Sequence, residues 1–157
     1  MSAKPSAPAH PPAHPPAHPY VPVRDVMSET PYLIEGMATV ADAVRMIAEK
    51  GVSSLVVRKR HDHDEYGMIV IQDIADKVVA LDRAPERVNV YEIMSKPLIS
   101  VLADMDTKYA IRLLGRFHLS RAIVIDSGDL VGIVTLRDLV LAYLGARDGA
   151  RPAVTEA

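Results

Sequence analysis

The sequence contains no cysteine, no tryptophan and one phenylalanine among its 157 residues. The absence of cysteine excludes disulfides, thiolate metal sites and a cysteine nucleophile. With so few large aromatic rings, we expect no stacking surface for single-stranded nucleic acid. The charges are nearly balanced, with 18 Lys and Arg against 20 Asp and Glu and a net charge of −2. This balance argues against a protein that binds nucleic acid through its phosphates.

Long apolar runs are also missing from the sequence. No stretch approaches the ~18 uninterrupted apolar residues that a membrane-spanning helix needs. The first segment, MSAKPSAPAHPPAHPP, carries Lys4 but has no apolar stretch after it, so we expect no secretory signal. The sequence therefore predicts a cytoplasmic protein with no membrane partner.

Proline is concentrated near the amino terminus, where the first 22 residues hold 8 of the 12 prolines. The tetrapeptide PAHP occurs three times there and carries His10, His14 and His18. Such a segment favours extended polyproline II backbone and has too few apolar residues to offset the entropy of ordering it. We therefore predict that residues 1–21 are disordered and that residues 147–157, which lack periodicity, form a second tail.

The sequence between the two tails repeats itself. A shift of 67 residues places VRDVMS at residues 23–28 on VYEIMS at residues 90–95. Further along the chain, a shift of 65 places the motif that begins at Gly67 on the one that begins at Gly132, with Asp73 on Asp138. A repeat of about 65 residues is too long for one unit of a solenoid and suits two copies of a small domain. We place these domains at residues 22–83 and 84–146.

The sequence pattern of each copy predicts the order strand, helix, strand, strand, helix. In the first copy, apolar residues with helical spacing lie between Thr39, a candidate N-cap, and Gly51, a C-terminal stop. The last helix of the first copy is predicted to end at about Leu81. In the second copy, Asp106 begins the first helix and Gly145 ends the last one. The predicted strands are residues 32–34, 55–57 and 66–71 in the first copy and residues 98–101, 122–125 and 130–134 in the second.

The second copy contains a motif with ligand chemistry, GIVTLRD at residues 132–138. In this motif an apolar strand is followed directly by a helix. The Thr135 hydroxyl and the Asp138 carboxylate lie at the start of that helix. Free N–H groups and the helix dipole attract phosphate there, and an ionised Asp can accept hydrogen bonds from both hydroxyls of a ribose. The alternative is a helix cap, in which Thr135 and Asp138 serve only the start of the helix.

Together with the repeat, this motif resembles a tandem pair of CBS domains, which are regulatory domains of the cystathionine-β-synthase type. The resemblance rests on residues 23–28, 40–43 and 132–138 and covers about 125 residues of the chain. It implies an α/β fold, more strictly α+β, of two β-α-β-β-α domains related by a pseudo-twofold axis. It also implies a non-enzymatic signal-transduction module that needs no cofactor and binds an adenosine compound (AMP, ADP, ATP, NAD or S-adenosylmethionine) between the domains.

The resemblance further implies two clefts, whose residues carry over position by position. The first cleft contains Thr135, Arg137, Asp138, Tyr32, Ile34, Ser53, Ser54 and Leu55. The second cleft contains Asp73, Ile99, Val101, Ser120, Arg121 and Ala122, with Arg121 as the basic phosphate contact.

The second cleft departs from the family pattern at Val70, which stands where the motif has Thr or Ser. Val has no hydroxyl, so this cleft loses one phosphate donor, and a hydrogen bond to a charged group is worth roughly 1.5–3 kcal/mol. We therefore rank the cleft at Thr135 first. The alternative for Asp73 is a carboxylate that only stabilises a helix start. His118 is expected to be a loop residue at the rim of the second cleft.

Two other functions compete with nucleotide sensing. The first is a module without a ligand, which forms a homodimer or docks on an effector protein; a homodimer is expected for the sensor as well. The second is a weak metal buffer built on histidine and acidic side chains. Its candidate ligands are His10, His14, His18, His61, Asp62, His63, Asp64 and Glu65.

Overall fold

The structure, a computed structural model, describes residues 18–96 and 98–149. The first half contains β1 (Leu33–Ile34), α1 (Val40–Lys50), β2 (Ser54–Val57), β3 (Gly67–Val70) and α2 (Ile71–Lys77). The second half contains α3 (Val90–Ile93), β4 (Ser100–Leu102), α4 (Thr107–Arg116), β5 (Arg121–Asp126), β6 (Asp129–Thr135) and α5 (Leu136–Arg147). Apart from the short α3, each half has the predicted order, which confirms the α+β fold.

Each half forms its own three-stranded sheet, in the orders β1-β2-β3 and β4-β5-β6. In each sheet the first two strands are parallel and the last two are antiparallel. A parallel pair needs a crossover connection, which α1 and α4 supply. The antiparallel pair of the second sheet turns at Ser127 and Gly128, whose φ angles of 51° and 87° suit a two-residue hairpin.

The starts and ends of the first helix in each half follow from local side-chain chemistry. The Thr39 hydroxyl accepts a hydrogen bond from the Asp42 N–H at 3.1 Å, and Gly51 ends α1 in the left-handed conformation, with φ 64°. The Asp106 carboxylate accepts from the Lys108 N–H at 3.1 Å at the start of α4. These caps are the ones that the sequence predicts.

Two helices end at residues other than those predicted. The second helix, α2, ends at Lys77, and a separate 3-10 turn spans Val79–Leu81. The last helix, α5, continues two residues past Gly145 to Arg147. Within the described part of the chain, no helix is both long and apolar enough to cross a membrane.

Each sheet packs with its helices around an apolar core, and a third cluster joins the two halves. Leu55 and Ile69 are fully buried in the first core, and Leu114 is fully buried in the second. Between the halves, Val56 of the first sheet and Ile123 of the second are buried in one cluster. This contact fixes the two halves against each other.

Two connecting segments pack on the half to which they do not belong by sequence. Val23 is fully buried in the second core, and its N–H donates to the Met105 carbonyl at 2.9 Å. In return, apolar residues from the range 88–93 lie in the first core. The predicted domains, 22–83 and 84–146, correspond to the two copies of the sequence repeat. Each folded core, however, also includes a segment from the other copy.

The glycine that opens each repeated motif makes room for these exchanged segments. A Cβ on Gly132 would lie 2.6 Å from the Ser28 carbonyl oxygen, and a Cβ on Gly67 would lie 2.7 Å from Met94 Sδ. The backbones of Ser28 and Ile133 form a bridge at this point. Gly132 is therefore needed for space, whereas a Cβ at position 67 would require the Met94 side chain to move.

Residues 18–21, the end of the predicted disordered tail, pack on the second half. His18 Nε2 lies 2.9 Å from the Asp106 carboxylate, and the His18 ring lies 4.8 Å from the Tyr143 ring. The Tyr20 hydroxyl donates to a backbone carbonyl of the turn between β4 and α4. The structure differs from the disorder prediction at these four residues because their side chains and backbone find partners in the second domain.

The rest of the predicted amino-terminal tail, residues 1–17, lies outside the described residues. The same holds for residues 150–157 of the predicted carboxy-terminal tail. The predictions for these residues stay predictions.

Candidate functional site

A cleft of about 390 Å³ opens between the two halves, beside the first turn of α2. Its lining comes from β3 and α2 in the first half, and from the end of α4, the start of β5 and the segment before β4 in the second. The lining residues are Met68, Val70, Asp73, Ser95, Leu98, Ile99, Phe117, His118, Leu119, Ser120, Arg121, Ala122 and Ile123. The cleft thus includes every residue predicted for the second cleft except Val101, which is buried in the second core.

Asp73 lies at the start of α2, and its carboxylate already has two partners. The Lys77 ammonium donates to one carboxylate oxygen at 2.8 Å, and the Val70 N–H donates to the other at 3.3 Å. The side chain is 15% exposed. Each carboxylate oxygen has a second lone pair, so Asp73 can stabilise the helix start and still accept a hydrogen bond from a ligand.

Arg121 crosses from the second half to the first. Its guanidinium donates to Ser53 Oγ at 3.1 Å and to Ser54 Oγ at 2.8 Å. The shift of 67 residues places Arg121 on Ser54, so this contact joins the equivalent positions of the two domains. Burial lowers the pKa of Arg121, which remains a cation because a guanidinium does not lose its proton in proteins. The buried Nε has no hydrogen-bond partner among the described residues.

Thr135 and Asp138 bond to each other at the start of α5. The Thr135 hydroxyl donates to the Asp138 carboxylate at 2.6 Å and accepts from the Asp138 N–H at 3.2 Å. The motif therefore caps the helix, as its alternative interpretation predicts. The Asp138 side chain remains 45% exposed, and the guanidinium of Arg137 lies 3.4 Å from it. An exposed carboxylate is still free to accept a hydrogen bond from a ligand.

The other residues predicted for the first cleft have different degrees of exposure. Ile34 and Leu55 are buried in the first core. Tyr32 is partly buried, and the Lys50 ammonium lies 5.4 Å from the centre of its ring. The structure brings Ser53 and Ser54 to Arg121, a residue predicted for the other cleft. The two predicted sets of residues therefore meet at this pair of serines.

Several residues that line the cleft, notably Phe117, are not predicted from the sequence, and His118 is predicted only at the rim. The repeat contains the signal that could have found them. A shift of 67 residues places Phe117 and His118 on Lys50 and Gly51, at the end of the first helix of the domain. These positions lie between that helix and the next strand, which in the second domain forms one wall of the cleft.

The candidate metal ligands are spread over both described and undescribed parts of the chain. His10 and His14 lie outside the described residues, and His18 contacts Asp106. In residues 18–96 and 98–149, no three His, Asp or Glu side chains form a group that could hold a metal ion.

The CBS domain family matches the chain twice, over residues 23–80 and 90–145. An uncharacterized protein of Methanopyrus kandleri is 33% identical to the chain over 118 residues, which are 74% of this chain and 57% of that protein. The chain therefore spans little more than half the length of this relative.

Two solved structures have a similar fold. A hexameric CBS-CP12 protein from bloom-forming cyanobacteria matches with a TM-score of 0.74 and 36% identity, covering 77% of this chain and 67% of that one. A CBS domain pair in complex with 5′-methylthioadenosine and S-adenosyl-L-methionine matches with a TM-score of 0.69 and 23% identity, covering 81% and 98%. Each family match contains one of the two sheets of the structure, and the chain therefore belongs to the CBS-domain family as a tandem CBS module of the regulatory kind.

Proposed function

We propose that this module senses an adenine nucleotide, as a regulatory ligand and without a cofactor, in the clefts between its two domains. The observation that carries the proposal is the cleft of about 390 Å³ between the halves, which has a carboxylate on one wall and a guanidinium on the other. A nucleotide offers the matching groups, a ribose diol and a phosphate.

Asp73 and Arg121 have complementary roles in this proposal. Asp73 accepts from the ribose hydroxyls, and Arg121 exchanges its serine partners for a phosphate, which is a stronger acceptor because it is charged. Val70 lines the same cleft and contributes no hydroxyl. At the equivalent place in the other domain, Asp138 accepts from the diol and Thr135 caps the helix.

The ligand acts by binding one arrangement of the two domains more tightly than another. The contact of Arg121 with Ser53 and Ser54 joins the domains, so its exchange for a phosphate changes how they are held together. The solved CBS pair with 5′-methylthioadenosine and S-adenosyl-L-methionine has the same fold and supports the proposal at the level of the fold alone.

Isothermal titration calorimetry with AMP, ADP, ATP, NAD and S-adenosylmethionine tests the proposal. We expect the wild-type chain to bind at least one of the four compounds that carry a phosphate, and Asp73→Ala to weaken binding at its cleft about ten- to hundredfold. Asp138→Ala should weaken binding by a similar factor at the cleft predicted beside Thr135. Asp76→Ala, which removes an exposed carboxylate from the same helix as Asp73, should leave the affinity unchanged. Absence of binding by the folded wild-type chain would refute nucleotide sensing.

A second candidate function is an interaction module that pairs with itself or with an effector protein. Apolar side chains on the helices favour it, since Ile71, Leu141 and Leu144 are each about half exposed. We propose that two copies form a homodimer through such helix faces in the cytoplasm. Sedimentation of the wild-type chain at twice the monomer mass of 17.1 kDa is expected, and a monomer at all concentrations would contradict it.

A further inference from the structure

His118 has a left-handed backbone conformation, which costs a histidine more than a glycine. Its φ is 53°, in the left-handed region, where residues with a Cβ are uncommon. The equivalent residue of the first domain is Gly51, whose φ is 64° and which adopts this conformation without a steric cost. Both residues follow the first helix of their domain. The second domain thus has a histidine where glycine would stabilise the fold.

The His118 side chain lines the cleft between the domains, on the same wall as Arg121. Among residues 18–96 and 98–149, nothing forms a hydrogen bond with its imidazole, and the residue is exposed. The imidazole is therefore free to bind a ligand that enters the cleft.

The charges that line the cleft favour an anion. Its described ionisable lining residues are Asp73, His118 and Arg121. The Asp73 carboxylate is paired with the Lys77 ammonium at 2.8 Å, whereas the guanidinium of Arg121 is held only by neutral serine hydroxyls. The charged group of the cleft that has no counterion is thus the Arg121 guanidinium, which is positive. A phosphate can accept hydrogen bonds from both the guanidinium and the imidazole.

We propose that His118 contacts the ligand and, together with Arg121, selects a nucleoside that carries a phosphate over an uncharged nucleoside. This inference rests on the proposed function, since it assigns the phosphate end of the ligand in the Asp73 cleft. The left-handed backbone at position 118 is retained because the imidazole serves binding, and stability is lost in exchange.

The experiment compares AMP with adenosine, which differ by the phosphate alone, on full-length variants. His118→Gly removes the imidazole and relieves the backbone. Ser127→Gly relieves a left-handed residue, with φ 51°, in the hairpin turn outside the lining of this cleft and serves as the matched control. His118→Asn removes the imidazole and keeps a residue type that tolerates this backbone.

We expect both glycine variants to melt about 2–4 °C higher than the wild type. The affinity of the Asp73 cleft for AMP should fall about three- to tenfold in His118→Gly and His118→Asn but not in Ser127→Gly, with adenosine affinity unchanged in all. Equal AMP affinity in His118→Gly and Ser127→Gly would overturn the inference alone. An equal loss for AMP and adenosine would overturn the phosphate assignment. A wild-type chain that binds neither compound would overturn the proposed function as well.

Discussion

Gly132, the first residue of the GIVTLRD motif, has a role in packing. A Cβ at this position would lie 2.6 Å from the Ser28 carbonyl oxygen and 2.8 Å from Met27 Sδ. The glycine thus allows the segment from the start of the chain to pack against β6. Side chains further along the motif, at Thr135 and Asp138, supply its polar chemistry.

Gly132→Ala is expected to destabilise the fold by about 1–3 kcal/mol, because the added methyl meets a backbone oxygen that cannot move freely. Gly115→Ala is the matched control, since a Cβ there has no neighbour within 4 Å. In helix α4 this second change should raise stability by about 0.5–1 kcal/mol. Urea denaturation of both variants measures the two effects, and equal stability of the two would contradict the packing role of Gly132.

Asp64 illustrates a second kind of residue, a carboxylate that joins a loop to the connection between the domains. Its side chain is 9% exposed and accepts from the Lys96 ammonium and from the Arg60 N–H. The hydrogen bond with Lys96, followed by that with the Arg60 backbone, holds the pKa of Asp64 far below its usual value. A carboxylate with a lowered pKa stabilises the folded state at pH values above the pKa of the unfolded chain, and this stabilisation is lost as the pH falls.

Asp64→Asn should therefore lower the melting temperature at pH 7, and its difference from the wild type should shrink as the pH falls below about 4. Asp62→Asn, two residues away and exposed, is the control and should change the melting temperature little at any pH. Melting curves between pH 7 and 2 measure both. If the melting temperature of Asp64→Asn differed from that of the wild type by the same amount at every pH in this range, the stabilising ion pair would be contradicted.

At the scale of elements, the two motif helices begin differently. Thr135 caps α5 through its hydroxyl, which accepts from the Asp138 N–H. Val70 occupies the same position before α2 and makes no side-chain cap. Val70 is partly exposed at the cleft, so a hydroxyl there would meet the free N–H groups of the helix and would not be buried without a partner.

Val70→Thr is expected to stabilise the fold by about 0.5–1 kcal/mol by capping α2, and to tighten nucleotide binding at the Asp73 cleft. Thr135→Val, the reciprocal change, should cost about 0.5–2 kcal/mol. Chemical denaturation and calorimetry with AMP separate the two effects of the first variant. Lower stability of Val70→Thr would mean that this side chain faces the core.

The elements also show how far local sequence patterns determine structure. The starts of α1 and α4, at Thr39 and Asp106, were predicted because a cap depends on residues within one helical turn. The end of α2 at Lys77 and the continuation of α5 to Arg147 were not predicted. Helix ends fray, and a sequence pattern specifies their last residues less sharply than it specifies a capped start.

At the scale of the whole molecule, the exchange of segments ties the two domains together. Val23 is buried in the second core, and Val90 and Ile93 are buried in the first. A chain cut between the sequence repeats leaves each half without part of its core. Buried apolar side chains of this size contribute roughly 1.5–3 kcal/mol each, a large share of the stability of a small domain.

Separate fragments of residues 18–83 and 84–149 are therefore expected to be poorly folded alone and to fold together when mixed. A fragment of residues 18–29 added as a peptide should partly restore the second half, because it carries Val23. Far-ultraviolet circular dichroism measures the recovery of helices and strands, and near-ultraviolet circular dichroism of the tyrosines measures the recovery of packing. Both are recorded for each fragment alone and after mixing. Two fragments that fold fully on their own would show that the exchanged segments are dispensable.

The sequence by itself determined the repeat, the order of strands and helices, the helix caps and the position of Asp73 and Asp138 at helix starts. All of these depend on residues that are close in the chain or on spacing along one element. Only the tertiary structure decided that Val23 enters the second core and that Arg121 reaches Ser53 and Ser54. It also decided that the Asp73 cleft is lined by Phe117 and His118. These contacts join residues far apart in sequence, and no local pattern specifies which distant partner a side chain meets.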